Sequence, residues 1–335
     1  MKIKTAIVGT GRIGFLLEKD SLRYHPCTHA GSIKYINEFT DASDESKFEI
    51  IGICDLNHTR MMEFEKWWGK EIQYKTESYR KLIDQSEFDF IVISSDFQSH
   101  FEICMYAIEN GIKYIMLEKP ACESSEEIEI LINTAKKHKT QIWVNFERRY
   151  HPGYLQIKKI IEETPPEKLR SIRGRVLTGA LRSKNEGSPF LVDGIHWLDL
   201  LIWYFGKPDD YSHRIVKSKY GPADTVFFDF NYGNVFGRLE AGGRRKFFEF
   251  ELEIDFEDMR ISGGNSGFKL WVNKDSDKYE NFMELKEQEL LFEKKNPWCE
   301  MYSEVKNVIQ YGGYGTVNSP VTDSHMSLKL IEPFH

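Results

Sequence analysis

The sequence predicts an α/β N-terminal domain with a doubly wound parallel sheet, followed by an α+β C-terminal domain with a large, mainly antiparallel open sheet. The first prediction rests on apolar strands that alternate with helical segments as far as Phe146. The second rests on successive β runs from Tyr211 onward, which are separated by glycine-containing turns. A length of 335 residues suits two domains. We place them at residues 1–147 and 148–335, and we allow for the C-terminal helix packing back on the first.

The first strand leads directly into a glycine-rich turn. Ile3 and residues 6–8 form a short apolar run, which is typical of a buried parallel strand. Glycines then follow the spacing G-x-G-x-x-G ahead of a helical segment, as in turns that let a pyrophosphate approach the backbone at a helix N-terminus. The pattern predicts a nucleotide site, and the alternative is a turn that only packs a helix on the sheet. The expected cofactor contacts are Gly9, Thr10, Gly11, Arg12, Ile13 and Gly14.

An acidic residue ends the second predicted strand. Residues 48–54 are apolar and lead to Asp55, at the place where a carboxylate holds the hydroxyls of an adenosine ribose. Asp55 lies 41 positions after Gly14, against a usual spacing of about 20, so an insertion intervenes. A carboxylate there repels a 2′-phosphate and favours NAD over NADP, although Arg60 follows closely. The alternative is a solvated aspartate at a strand end.

Two later strands, at residues 88–94 and 113–117, also end in polar residues. The carboxyl ends of parallel strands meet at one edge of a sheet, where ligands bind in a crevice. We therefore add to the predicted cofactor site the residues at these two strand ends, which are Ser94, Ser95, His100, Glu118 and Lys119.

The composition excludes several classes of partner. A formal net charge of −7 opposes non-specific binding to nucleic acid or to anionic membranes. We find neither a signal peptide nor an apolar stretch near the roughly 20 residues of a membrane span. The five cysteines are scattered, which is typical of reduced thiols in a cytoplasmic protein.

An unusual stretch, residues 18–47, separates the glycine turn from the second strand. It contains His25, Cys27 and His29 at intervals that differ from known zinc spacings, and we see no fourth ligand. We therefore predict no metal. Because the stretch follows the phosphate turn, we expect it to cover the cofactor or the mouth of the substrate site.

Several motifs in order resemble the glucose-fructose oxidoreductase, inositol dehydrogenase and MocA family of NAD(P)-dependent oxidoreductases. They are GTGRIG at 9–14, the strand-end Asp55, residues 94–100, EKP at 118–120, NFERRYHP at 145–152 and DGIHWLDLL at 193–201. The similarity extends over essentially the whole chain, and EKP after a Rossmann-like strand is the most specific motif. The resemblance implies that an open face of the second domain's sheet forms the dimer surface, so we expect a homodimer or homotetramer.

The resemblance also implies the catalytic residues. Lys119 of EKP would be the general acid/base, since oxidation of an alcohol needs a group that takes the hydroxyl proton. His196 would face the substrate, and Asp193 would orient either the His196 imidazole or a sugar hydroxyl. The sequence departs from the family here, because the usual acid lies four residues before the histidine, where this chain has Val192. The alternatives without a catalytic role are that Lys119 is a surface lysine and that His196 is a core histidine with its hydrogen bonds made inside the protein.

Three further residues are candidates for substrate binding. Arg149 and Tyr150 would line the entrance, and Arg182 lies in a polar loop that suits an anionic or polyhydroxyl ligand or is simply solvated. We expect a dehydrogenase that acts on a secondary alcohol of a sugar, nucleotide-sugar or cyclitol. The alternatives are an NAD-dependent glycoside hydrolase and a diverged NAD-binding sensor or partner protein.

Overall fold

A computed structural model describes residues 1–39, 46–85, 87–179, 190–217, 225–313 and 317–332. They form two compact units, the first from Met1–His151 with Lys295–Lys329 and the second from Pro152–Lys294 with Leu330–His335. Residues 295–329 thus pack with the first unit, whereas the sequence analysis placed them in the second domain and allowed only for the C-terminal helix to pack back on the first. None of the helices in these described ranges is long and apolar enough to cross a bilayer.

The first unit is built on a parallel sheet in the order β3-β2-β1-β4-β5-β6, which confirms the predicted doubly wound arrangement. Its strands are β1 (Lys2–Val8), β2 (Lys47–Cys54), β3 (Tyr74–Thr76), β4 (Phe90–Ile93), β5 (Tyr114–Leu117) and β6 (Gln141–Val144). Its helices are α1 (His29–Phe39), α2 (His58–Trp68), α3 (Tyr79–Ile83), α4 (His100–Glu109) and α5 (Ser125–His138). The strand order reverses between β1 and β4, so the glycine turn and Ser94 flank the switch point where ligands bind such sheets.

Part of the stretch that we predicted to be unusual, residues 18–47, is helix α1. The residues before that helix, 15–28, contain a short 3₁₀ helix at Leu16–Lys19, and we call them the insert loop. The amides of His29 and Ala30 donate to the carbonyls of Ile13 and Gly14, each at 3.1 Å. The crossover helix α1 therefore begins next to the glycine turn in space. The insert loop lies between the turn and this helix in the sequence. Part of the long sequence separation between Gly14 and Asp55 is explained in this way.

The C-terminal helices of the chain are α8 (Pro297–Tyr311) and α9 (Val321–Ile331). Helix α8 packs on α1 within the first unit. Between the two helices, Pro320 forms an antiparallel bridge with Trp143, and the amide of Val144 donates to the carbonyl of Ser319 at 3.0 Å. The C-terminal segment therefore closes the β6 edge of the first sheet.

The second unit is an eight-stranded sheet in the order β14-β13-β12-β11-β7-β10-β9-β8, in which only the β7–β10 pair is parallel. Its elements are α6 (Pro152–Glu163), β7 (Leu169–Leu177), α7 (Ile195–Phe205), β8 (Asp210–Val216), β9 (Thr225–Tyr232), β10 (Val235–Gly242), β11 (Glu249–Phe256), β12 (Met259–Gly264), β13 (Gly267–Asp275) and β14 (Met283–Gln288). Strand β11 alternates strictly between buried and half-buried residues. Helix α7 lies directly on β7, because a Cβ atom at Gly174 would come within 2.0 Å of the Trp197 indole.

Candidate functional site

The three glycines of the turn after β1 meet three different steric demands. Gly9 has a φ of +95°, and a Cβ there would lie 2.5 Å from the carbonyl carbon of Ser94. A Cβ at Gly14 would lie 2.2 Å from the carbonyl oxygen of Gly9, whereas a Cβ at Gly11 would meet nothing nearer than the Arg60 guanidinium at 4.0 Å. Gly9 and Gly14 are thus required by the fold, while Gly11 leaves open space over the backbone, as a phosphate needs.

Asp55 is fixed by the glycine turn and by its own loop. Its Oδ2 accepts hydrogen bonds from the amide and the hydroxyl of Thr10, both at 2.8 Å, and its Oδ1 accepts one from the amide of Asn57 at 2.8 Å. The Arg60 guanidinium lies 3.8 Å from Oδ1, with its side chain 46% exposed. An oriented carboxylate and a nearby exposed cation thus stand beside the turn.

The residues after β4 brace the edge of the sheet. The Ser94 hydroxyl donates to the carbonyl of Gly9 at 2.8 Å, and the Ser95 and Ser99 hydroxyls lie 2.8 Å apart. His100 is buried, with Nδ1 2.8 Å from the carbonyl of Pro120 and Nε2 3.0 Å from that of Ser95. Burial lowers the pKa of His100, although these backbone hydrogen bonds oppose the shift. His100 thus joins two strand-end loops and presents no free ring nitrogen to a ligand.

Glu118 lies at the centre of a buried network. Its Oε1 accepts hydrogen bonds from His29 Nε2 at 2.9 Å and from the Asn145 amide, and the other nitrogen of His29 lies 2.7 Å from the Tyr302 hydroxyl. Burial raises the pKa of Glu118, but the hydrogen bond and charge of His29 act in the opposite direction. With further contributions from Lys119 and Asn145, the pKa of Glu118 falls below its ordinary value of 4.5.

Lys119 is half-buried and follows this network directly, with its backbone amide 3.3 Å from Glu118 Oε2. The peptide bond that joins it to Pro120 is cis. A second carboxyl group, that of Glu147, has its pKa raised by burial, while the charges of Arg148 and Lys119 lower it. Lys119 therefore lies close to two acids of the same unit, the buried Glu118 and the half-buried Glu147.

Four of these residues were missed by sequence reasoning. His29 was considered only as a metal ligand, and no local pattern marks Tyr302, because the contact between them joins positions 273 residues apart. Asn145 and Glu147 lie within the NFERRYHP motif just after β6, so the rule that polar strand ends carry ligands could have found both.

Arg149 and Tyr150 do not take the position that we expected at a substrate entrance. Arg149 is 1% exposed, and its Nη1 donates to Asp323 at 2.6 Å and to the carbonyl of Asn318 at 3.0 Å. The Tyr150 hydroxyl donates to Glu304 at 2.7 Å. Because a buried arginine needs charged and hydrogen-bonded partners, both residues serve to hold the C-terminal segment on the first unit.

The second unit carries the remaining candidates. A π-helical turn, Phe190–Gly194, runs directly into α7, so Asp193 and His196 lie three positions apart on one continuous helix. This spacing puts them on neighbouring positions of the helix surface. His196 is 8% exposed and Asp193 is half-buried. Arg182 lies outside the described residues. A π-helical turn often occurs at functional sites, and here it carries Asp193.

Part of the first unit matches a known protein family. Residues 3–146 match the family model described as an oxidoreductase family with an NAD-binding Rossmann fold. Inositol 2-dehydrogenase of Salmonella typhimurium is 24% identical over 215 residues, which cover 63% of this chain and 56% of the relative. The matched region therefore spans only about half the length of that curated relative.

Solved structures of similar fold cover nearly all of the chain. One is the UDP-N-acetylglucosamine 3-dehydrogenase GnnA of Acidithiobacillus ferrooxidans, with a TM-score of 0.75, 16% identity, and 98% of this chain and 95% of the other covered. Another is the WlbA dehydrogenase of Bordetella pertussis in complex with NADH and UDP-GlcNAcA, with a TM-score of 0.75, 16% identity, and 100% and 95% covered. At these identities the likeness establishes the two-domain fold.

Proposed function

We propose that this protein is an NAD(P)-dependent dehydrogenase. The premise is that residues 3–146 belong to the family of NAD-binding Rossmann-fold oxidoreductases that includes glucose-fructose oxidoreductase, inositol dehydrogenase and MocA. The proposed reaction is hydride transfer between the nicotinamide and a secondary alcohol of a sugar, nucleotide-sugar or cyclitol. The observation that carries the proposal is the position of Lys119 at the end of β5, in the same sheet whose β1 and β2 ends carry the glycine turn and Asp55.

The residues of the turn suit a dinucleotide. Gly11 leaves open space where a pyrophosphate approaches the backbone, and Asp55 offers an oriented carboxylate to ribose hydroxyls. We propose NAD as the cofactor, because the Asp55 carboxylate would repel a 2′-phosphate. Arg60, half-exposed beside it, is the residue that would admit NADP. When bound, the cofactor supplies a hydride acceptor or donor.

Lys119 is the general acid/base in this proposal. Its Nζ takes the proton of the substrate hydroxyl during oxidation and returns it during reduction. Glu118 fixes the backbone at Lys119 through the amide contact, and we assign it a positioning role rather than a direct contact with cofactor. On the second unit, His196 binds a substrate hydroxyl and Asp193 orients the imidazole or the substrate.

The substrate class is supported by the names of the relatives. One relative acts on inositol and another on a UDP-linked amino sugar, both of which carry ring secondary alcohols. We also propose self-association through the second unit's open sheet face, which carries paired opposite charges such as Arg173–Glu253 and Arg238–Asp229. Sedimentation of the purified chain tests this. The five cysteines are free thiols, in keeping with the cytoplasmic location that we propose.

Replacement of Lys119 tests the proposal. Lys119→Ala should bind NADH like the wild type in a fluorescence titration, but its turnover on the best sugar or cyclitol of a screen should fall by about 10²–10⁴-fold. Lys137→Ala, at an exposed lysine of α5, is the matched control and should keep full activity. Undiminished turnover in Lys119→Ala would refute the mechanism.

The same screen separates the alternative functions. Glycoside cleavage with tightly held cofactor and no net NADH would point to NAD-dependent hydrolysis. Cofactor binding without turnover on any sugar or cyclitol would favour a sensor, which the displacement of the acid from position 192 to Asp193 also suggests.

A further inference from the structure

Three side chains of different chemical types converge within the insert loop. His25 Nδ1 lies 2.9 Å from Glu18 Oε2 and 3.8 Å from the Cys27 sulfur. One ligand atom from each residue lies within 4.8 Å of the other two. The Glu18 side chain is only 6% exposed and that of His25 is 36% exposed, while Cys27 is half-buried. The cluster thus combines a shielded carboxylate with a side that a dissolved ion can reach.

Two of the three distances between these atoms are close to the edges of a coordination tetrahedron, and the third, from the Glu18 oxygen to the Cys27 sulfur, is at most 4.8 Å. With zinc bonds of about 2.0–2.1 Å to nitrogen and oxygen and about 2.3 Å to sulfur, tetrahedral angles put N and O roughly 3.3 Å apart and N and S roughly 3.5 Å apart. The observed separations of 2.9 and 3.8 Å differ from these by only a few tenths of an ångström. Small rotations of the side chains would therefore bring the three atoms to bonding distance of one ion.

Hydrogen bonds from the loop backbone orient two of the three groups. His25 Nε2 lies 2.9 Å from the carbonyl of Asp20, the kind of second contact that metal-binding histidines usually make. The Cys27 amide donates to Glu18 Oε1 at 2.7 Å, which leaves Oε2 directed at the imidazole. Without a metal, a proton on Nδ1 satisfies the contact with Glu18 Oε2. A bound cation would take the place of that proton between the imidazole nitrogen and the carboxylate oxygen.

The surrounding fold also makes room for the carboxylate. A Cβ at Gly31 of α1 would come within 2.1 Å of Glu18 Oε1, so a glycine is needed where the helix passes Glu18. At the other side, the Asn296 amide donates to the carbonyl of Pro26 at 2.9 Å and ties the loop to the start of α8. The groups are therefore held by contacts that do not depend on one another.

A relay from Glu18 through His25 to a nucleophilic Cys27 is a poorer explanation. In such a relay the two ring nitrogens contact the acid and the nucleophile separately. Here Glu18 and Cys27 both face Nδ1, and Nε2 is directed at a backbone carbonyl.

We propose that Glu18, His25 and Cys27 bind a divalent transition-metal ion, with Zn²⁺ as the best match to one carboxylate, one imidazole and one thiolate. A water molecule completes the four-coordinate shell. The ion joins the beginning of the insert loop to its end, and the Cys27 thiol releases its proton to solvent on binding. His29, which we weighed as a ligand from the sequence, is directed instead to Glu118 and Tyr302, and Glu18 takes its place.

Cobalt spectroscopy on the full, reduced and metal-stripped chain tests the proposal. Wild-type protein should take up one Co²⁺ with a thiolate-to-cobalt charge-transfer band, and equimolar Zn²⁺ should abolish the band. Cys27→Ser should lose the band, and His25→Gln should bind Zn²⁺ at least about 100-fold more weakly in a chelator competition. His58→Gln, at an exposed histidine of α2, is the control and should behave like the wild type.

His25→Gln alters a partly exposed side chain, so it keeps the test informative if Cys27→Ser folds poorly, and circular dichroism reports folding for both. Absence of the charge-transfer band in the wild type would overturn the proposal, and the doubly hydrogen-bonded imidazole would then stand without a metal. Unchanged Zn²⁺ affinity in folded His25→Gln would overturn it as well.

Discussion

Two carboxylates at the same edge of one sheet, Asp55 after β2 and Glu118 after β5, look alike in the sequence but differ in their surroundings. Asp55 accepts its hydrogen bonds from the adjacent glycine turn and its own loop, and a half-exposed arginine stands beside it. Glu118 is bound by side chains from distant segments, His29 and Asn145, and His29 in turn contacts the buried Tyr302. An acidic residue at a strand end can therefore either face a ligand or stabilise the protein structure around the ligand site.

We infer that Asp55 is the ligand-facing carboxylate and Glu118 the framework carboxylate. A group bound by one adjacent turn and by its own loop, as Asp55 is, keeps its orientation at little cost to the rest of the fold. A buried charge held by long-range side chains couples those segments, so its loss leaves several polar groups without partners. This difference can be measured as stability, as ligand affinity and as pH dependence.

The largest expected effect is on folding stability. Glu118→Ala should lower the free energy of unfolding by about 3 kcal/mol, because His29 and the Asn145 amide lose their buried partner. Asp55→Ala is the matched control and should cost about 1–2 kcal/mol, since the Thr10 hydroxyl can rotate to another acceptor and the Asn57 amide belongs to an exposed residue. Urea denaturation followed by tryptophan fluorescence measures both, and equal losses would break the distinction.

The glycine turn offers a second test on the Asp55 side. Gly14→Ala should destabilise the fold by about 2 kcal/mol, because its Cβ would collide with the Gly9 carbonyl. Gly11→Ala should leave stability nearly unchanged and weaken NADH binding by about 10-fold or more, because its Cβ would fill the space for the pyrophosphate. Thermal melts with and without NADH separate the two, and a stable Gly11→Ala with full affinity would contradict the assignment.

The smallest expected effect is on how the free energy of unfolding changes at acidic pH. The pKa of Glu118 is lowered from 4.5 on folding, so its contribution is present above that value and is lost as the pH falls through the native pKa. The stability difference between the wild type and Glu118→Gln should therefore shrink on going from neutral pH to below about pH 4. Denaturation series at several pH values measure this, and a constant difference would show that Glu118 is not held as an anion.

Local patterns were enough to predict the first sheet, the glycine turn, and the positions of Asp55 and Lys119 at strand ends. Each depends on a strand end and the few residues after it, which period-two and glycine signals mark directly. The Glu118 network and the burial of Arg149 against Asp323 were not predictable, because they join segments far apart in the chain. We allowed for packing on the first unit only in the case of the last helix, and not for the whole of residues 295–329. The pattern of an amphipathic helix shows which of its faces is buried, but not which surface that face packs against.

The most direct measurement is a fluorescence titration of NADH against the wild type and two isosteric variants, Asp55→Asn and Glu118→Gln. Each variant replaces one carboxylate by its amide, so shape is kept and only charge and one acceptor are lost. We predict that Asp55→Asn weakens NADH binding by about 10-fold or more, through weakened charge-assisted hydrogen bonds to the ribose, while Glu118→Gln stays within about 2-fold of the wild type. Full affinity in Asp55→Asn together with lost affinity in Glu118→Gln would contradict the account.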